Sequence, residues 1–199
     1  MKKLLLVVAA LAPAFASAGT STWNVDPMHS RVGFAVKHLV ISTVRGEFKK
    51  YEGKVVLDDA DLTKSTVEAT IDPATIDTGV ADRDGHLRSP DFFDVAKNPT
   101  VTFKSTKVAA AGPGKLAVTG DLTLRGVTKP VVLDVELSPE VKGMYGETRR
   151  GVTATGTIDR KAFGLAWSKV VEAGPVVADE VTLSFELEIV KAQPKVTQK

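Results

Sequence analysis

The sequence predicts an all-β chain, an antiparallel sandwich or barrel of about eight strands with one short helical insert. Three observations predict it. Apolar and polar residues alternate through most of the chain, which turns one face of each segment to a core and the other to water. The alternating segments are short, rich in Val and Thr, and separated by turn residues. The alternation fails once, from about Thr78 to Asn98, where a charged segment takes its place.

Residues 1–18 read as an export signal. Lys2 and Lys3 form a basic start, Leu4 to Leu11 an apolar core, and Ala16-Ser17-Ala18 a small-residue cleavage pattern. The apolar stretch is too short for a membrane anchor. The expected location is therefore periplasmic or secreted, with no integral membrane span once the signal is removed. Residues 19–191 read as one barrel domain and residues 192–199 as a polar, frayed tail.

Within the domain, Val32, Phe34 and Val36 share one face, and His38 continues it. The same alternation recurs at Val67/Ala69/Ile71, Val101/Phe103, Leu116/Val118, Leu122/Leu124, Val131/Leu133/Val135/Leu137 and Val181/Leu183/Phe185/Leu187/Ile189. Ala111-Gly112-Pro113-Gly114-Lys115 signals a hairpin, and Asp58 to Asp61 and Ser138-Pro139-Glu140 signal turns. The last strand, Val181 to Val190, can pair with the first strands and close a barrel, which removes sheet edges. By strand parity, Phe34, Val36, Val67, Ile71, Phe103, Leu133, Val135, Leu183 and Phe185 face inward. An eight-stranded barrel holds either side chains or one small ligand. Small inward residues such as Ala69 and Gly120 would leave room for a ligand.

The insert carries Arg83-Asp84-Gly85-His86-Leu87-Arg88. Ala81 to Leu87 reads as one helix, with acidic residues early, where they suit the helix dipole. Ser89-Pro90-Asp91 reads as the start of a second turn of helix, with Ser89 as its cap. Arg83, Asp84 and His86 have two readings. They form a head-group site, since Arg is a forked donor for phosphate or carboxylate, or a network in which Asp84 holds an arginine and pins the insert to the rim. His38 is expected at the end of the apolar interior as a hydrogen-bonded neutral imidazole. Trp167 is either a plug under a loop or an apolar gate.

Composition excludes several classes. The chain has 26 Lys+Arg and 24 Asp+Glu, and residues 1–18 hold two of the basic groups and no acidic one. The remainder is neutral, against a nucleic-acid partner. No cysteine is present, so disulfides, thiolate metal sites and cysteine nucleophiles are excluded. The three histidines form no HxH, HxxxH or HExxH pair, and no G-x-S-x-G motif is present. No catalytic residue, metal or cofactor is expected.

The residues line up with a known family. Near the start stand Trp23-Asn24-Val25-Asp26, His29-Ser30, Val32-Gly33-Phe34, His38 and Gly46-Glu47-Phe48. In the middle stand Arg83 to Ser89 and Asp91-Phe92-Phe93-Asp94. Later come Pro99 to Ser105, Gly120 to Thr128, and Asp159-Arg160 with Phe163-Gly164. The chain resembles, over essentially its whole mature length, the YceI-like proteins, mainly bacterial, often exported lipid-binding barrels. Arg125 stands where the family often has His. The resemblance implies an antiparallel lipocalin-like β-barrel with an elongated apolar pore. It implies a long-chain isoprenoid or fatty amphiphile as partner, without metal or catalysis. A homodimer is admitted as an assembly. Two rivals remain: a hydrolase or isomerase acting on a lipid-like substrate through His86 and Asp84, and a structural module whose barrel is filled.

Overall fold

The computed structural model describes residues 19–171 and 174–193. The expected signal, and the tail beyond residue 193, lie outside the described residues. Strands occupy β1 (Thr20–Val25), β2 (Arg31–His38), β3 (Ser42–Phe48), β4 (Tyr51–Asp58), β5 (Thr66–Ile71) and β6 (Ile76–Asp77). Helix α1 (Ala81–Arg88) follows. Then come β7 (Val101–Gly112), β8 (Lys115–Leu124), β9 (Val127–Leu137), β10 (Val141–Lys142) and β11 (Thr148–Asp159). Last are β12 (Val170–Val171), β13 (Gly174–Pro175) and β14 (Val177–Lys191).

Eight antiparallel strands close a ring in the order β1, β4, β5, β7, β8, β9, β11 and β14, with β14 returning to β1. The closure expected of the last strand is present. One edge of β14 pairs with β11 from Glu180 to Val190. The other edge is shared: β2 takes Val177 to Glu186, and β1 takes Ile189 to Lys191. The hand-over has a local cause. Pro27 lacks an N–H and breaks the strand after Asp26, whose carboxylate accepts from the Met28 N–H at 3.0 Å. The chain then re-enters the same ladder as β2, and β3 and β6 extend the wall beyond the ring.

The turns follow their residues. Gly114 (φ 69°) supports the β7–β8 hairpin, and Arg125-Gly126 (φ 51° and 73°) the tight β8–β9 turn. The second helical turn expected from Ser89 does not form. Ser89 Oγ does accept from the Asp91 N–H at 3.3 Å, but the Phe92 and Asp94 N–H groups both return to the Ser89 carbonyl. The chain then leaves through a left-handed Asp94, φ 47°. This tight reversal lets the buried Phe92 and the half-buried Phe93 both join the core.

The core has two ends. Phe92, Val101, Leu122, Leu124, Ile158, Phe163 and Leu165 pack together at the α1 end. At the opposite end the fully buried Trp23 packs with Leu57 and Ile189. Its indole N–H donates to Ser21 Oγ at 2.9 Å.

Candidate functional site

Between those ends the interior is not filled. Along β5 the inward Val67, Ala69 and Ile71 are half-buried and alternate with exposed residues. Their accessible surface faces empty space inside the barrel. Two cavities occupy it, of about 150 Å³ and about 130 Å³. The larger runs from the Trp23 end and touches Val67, Ala69, Phe103, Leu133 and Val135. The smaller lies toward α1 and touches Phe34, Val36, Phe48, Phe93 and Val177. Val32, Ile71, Leu122, Leu183 and Phe185 form a waist common to both. All nine residues expected to face inward stand on these walls.

Two polar groups on the walls have partners. The Tyr51 hydroxyl donates to the Ser30 carbonyl at 2.6 Å, and burial holds its pKa above the ordinary value. Ser65 Oγ accepts from the Asp58 N–H. Glycines serve the aromatics here. A Cβ at Gly46 would collide with the Phe34 ring, and one at Gly120 with the Phe103 ring. The sequence expectation that Gly120 leaves room for a ligand is therefore corrected: Phe103 occupies that room. Ala69 does face the cavity.

The α1 end is closed by two loops, each held by one arginine. Arg125 donates to the Phe92 and Pro90 carbonyls at 2.6 and 2.8 Å. Arg160, 3% exposed, donates to the carbonyls of Leu165, Trp167, Val177 and Ala178 and to the Asp179 carboxylate at 3.1 Å. Asp159 does not meet Arg160. It caps the following turn through the Lys161 N–H. Between the loops, the Trp167 ring lies 5.4 Å from Phe92 and 5.1 Å from His86. Arginine thus does there what an imidazole at position 125 could not: two forked bonds to a backbone turn.

The Arg83, Asp84 and His86 set does not converge on one point. Residues two apart on a helix do not face each other. Asp84 is buried, and one oxygen accepts from both the N–H and the hydroxyl of Thr78, at 2.9 and 2.6 Å. Arg83 reaches the Thr78 hydroxyl at 2.7 Å and its carbonyl at 2.9 Å. Asp84 holds a threonine, not the arginine expected, and Thr78 links the two charges. His86 pairs with Asp91 at 2.8 Å instead. His38 has its carbonyl engaged by Ile41 and Ser42. Among the described residues its imidazole makes no hydrogen bond, and it touches neither cavity.

Asp84→Ala removes the buried acceptor of two half-buried Thr78 donors, a loss of about 1–3 kcal/mol. Hydrogen exchange across residues 78–98 should quicken and lipid retention weaken. Unchanged exchange with lost binding would make Asp84 a head-group contact instead.

At the Trp23 end, Asp26, His29 and Glu188 gather. The Arg149 guanidinium sits among them, bonding Asp26 at 2.8 Å, Glu147 at 2.8 Å, and Glu188. His29 and Arg149 together hold the Asp26 carboxyl down to about 2. This arginine already occupies the space a cation would take. An outer cleft of about 550 Å³ adjoins it, lined by Lys115, Glu136, Arg149, Arg150, Glu186 and Glu188 among others. It is larger than either interior cavity, but its open, charged walls suit water rather than a lipid chain.

Sequence matches agree with this architecture. The model of the YceI-like domain matches residues 23–189. A UPF0312 protein of Vibrio cholerae is 38% identical over 169 residues, 83% of this chain and 89% of the relative. The Burkholderia cenocepacia protein BcnA superposes with a TM-score of 0.74 at 29% identity, covering 82% of this chain and 98% of that one. A polyisoprenoid binding domain from Saccharophagus degradans has the same fold, with a TM-score of 0.61, 18% identity, and 85% and 98% of the two chains covered. With a closed eight-stranded barrel, an unfilled apolar interior and a family match across nearly all of the barrel, the chain belongs to the YceI-like family.

Proposed function

We propose that this protein binds and carries a long-chain isoprenoid or similar amphiphilic lipid, its apolar chain inside the barrel, in the periplasm or as a secreted protein. The observation that carries this is the unfilled interior. A chain stable by core packing alone leaves empty space along its inward face, and native interiors otherwise pack closely. Two cavities meeting at a waist suit a chain-shaped guest. The polyisoprenoid binding domain with the same fold supports the ligand class. The sequence pattern of an export signal supports the location.

Affinity would come from burial. Each CH₂ contributes about 0.8 kcal/mol, so a long chain exceeds the cost of association. Apart from the exposed Glu52 and the paired Arg160, the cavity walls carry no charged residue among those described, so a charged head group would stay at an end of the barrel. The waist at Ile71, Leu183 and Phe185 must widen as a long chain passes. The filled-barrel rival conflicts with the cavities. The enzyme rival lacks its pair, because Asp84 is engaged by Thr78 and His86 by Asp91.

Native mass spectrometry of protein purified from its own host, followed by lipid extraction, tests the proposal. The expected result is a mass increment carried by one apolar chain. Protein free of lipid, and unable to take up polyprenol or fatty amphiphile from solution, would overturn it.

A further inference from the structure

We infer that the Trp23 end is a closed floor that seats the tip of the bound chain, so that the barrel selects its guest by length. The inference rests on the lipid-carrier proposal above. Leu57 and Ile189 line the larger cavity at that end. Trp23 packs against both without touching the cavity itself. The indole is tied as well as packed. Its N–H donates to Ser21 Oγ, and the Ser21 hydroxyl donates in turn to the Asp59 carboxylate at 2.8 Å. Trp23 and Ile189 are laddered on both edges, Trp23 to Val55 and Lys191, Ile189 to Val25 and Arg150. Two cations lie over the indole ring. The Arg150 guanidinium is 5.6 Å and the Lys191 ammonium 5.4 Å from its centre, and both pair with the Glu140 carboxylate. An apolar tip gains nothing by passing into such a layer.

The α1 end is built the opposite way. Arg125 and Arg160 each clamp one loop from within. Among the described residues no hydrogen bond joins the 78–98 segment to the 164–179 loop. The two meet through rings, Trp167 against Phe92 and His86. Phe92 and Leu165, beside that junction, line the smaller cavity. Parting the loops breaks apolar contacts alone, whereas opening the floor breaks strand ladders and a buried indole hydrogen bond. The chain therefore enters at the α1 end, and its head group remains there.

The length of the path follows from β14, which runs beside both chambers from Val177 to Ile189. At about 3.3 Å per residue and a tilt of about 40°, that stretch spans about 30 Å along the barrel. The hydrocarbon core of a bilayer is about as thick and holds two acyl chains end to end. One membrane-length acyl chain therefore fills about half the path and ends near Leu183, at the waist. A chain twice as long passes the waist and reaches the floor. Each further CH₂ buried on the way adds affinity. Once the tip meets Leu57 and Ile189, surplus chain stays in water at the α1 mouth and adds none.

The chain's two tryptophans, Trp23 and Trp167, stand one at each end, which makes the seat of the tip measurable. The test uses delipidated protein and isoprenoid alcohols brominated on the last unit, since bromine quenches a nearby indole. In Trp167→Phe, where Trp23 alone emits, tip-brominated solanesol should remove more than half of the emission. Tip-brominated farnesol, too short to reach the floor, should leave it unchanged. In Trp23→Phe, where Trp167 alone emits, the solanesol tip should leave the emission unchanged. A second measurement offers an equimolar mixture of farnesol, geranylgeraniol, solanesol and undecaprenol and reads the retained alcohols by native mass spectrometry. Wild type should retain solanesol at least about tenfold over farnesol, and undecaprenol no better than solanesol. Val55→Phe places a ring beside the floor, on the wall of the larger cavity. It should narrow the preference for solanesol over geranylgeraniol about tenfold. Equal quenching of Trp23 by both lengths, quenching of Trp167 by the solanesol tip, or an unchanged length preference in Val55→Phe would each overturn the inference and leave the carrier proposal in place. Retention of no alcohol by the wild type would remove the carrier proposal and the inference with it.

Discussion

Phe34→Asp is expected to lower stability by about 3–5 kcal/mol and to abolish lipid uptake. Phe34 stands on the wall of the smaller cavity. Its ring lies against Gly46 of the neighbouring strand, and the Phe48 ring is 5.7 Å away. Phe48 in turn meets the Phe93 ring edge-on at 5.7 Å. The three rings connect the barrel wall to the insert that closes it. Aspartate would remove the first link, leave a void over Gly46, and place a carboxyl among Val32, Val36 and Leu183 with no donor. For a chain of this size, the melting temperature should fall by about 10 °C or more. Phe34→Leu keeps the apolar wall and should retain uptake at a smaller cost. Unchanged melting with unchanged lipid retention in Phe34→Asp would mean that the ring faces water.

Arg160→Ala is expected to have a comparable effect through a different physical cause. Arg160 is buried, and its guanidinium satisfies four backbone carbonyls from the two segments that flank the β12–β13 hairpin. Alanine leaves those acceptors without donors inside the fold. Each buried orphan costs about 1–3 kcal/mol, and water entering the gap recovers part of it, so a net loss of about 3–5 kcal/mol follows. The Asp179 partner is half exposed and adds little. Hydrogen exchange should quicken over residues 164–179 first, and Trp167 fluorescence should shift red as the plug loosens. An unchanged Trp167 spectrum and unchanged melting would show that the loop holds by its apolar contacts alone.

The barrel was legible because its signal is local. Period-two alternation assigns a face to each inward residue, and β8, β9 and β14 state it without ambiguity. That is why the parity of Leu133, Val135 and Leu183 alone put them on the cavity walls. β11 was harder to see. Thr148 to Asp159 carries Thr, Gly and Ala at most positions, so its apolar face is only Val152, Ala154 and Ile158, although it pairs β14 over eleven positions. Small residues pack there because neighbours fill their space: a Cβ at Gly156 would meet Leu133 at 2.8 Å.

The site was legible in its wall and not in its ends. Sequence spacing marks Arg83, Asp84 and His86 as a cluster, but a helix points them apart, and Thr78 and Asp91 claim their polar atoms. The arginines that do close the end, Arg125 and Arg160, bind backbone carbonyls. A carbonyl leaves no mark in a sequence, so such clamps are visible only once the turns are built. Arg149 was missed for a related reason: Asp26 lies 123 positions away in the chain. Gly120 was misread because parity locates a missing side chain but not the neighbour, here Phe103, that fills its place.

The most direct test of the interior as a ligand site is Ala69→Phe. Ala69 faces the larger cavity, opposite Gly53 on β4 and beside Phe103 on β7. The added ring enters empty space, so the fold is retained at a cost of about 1–3 kcal/mol at most. The measurement is uptake of a radiolabelled polyprenol from ethanolic solution by folded wild-type and variant protein. The expected result is saturable uptake by the wild type and a loss of about tenfold or more in the variant, each tenfold corresponding to about 1.4 kcal/mol of binding. Equal uptake by a folded Ala69→Phe protein would contradict a ligand site inside the barrel.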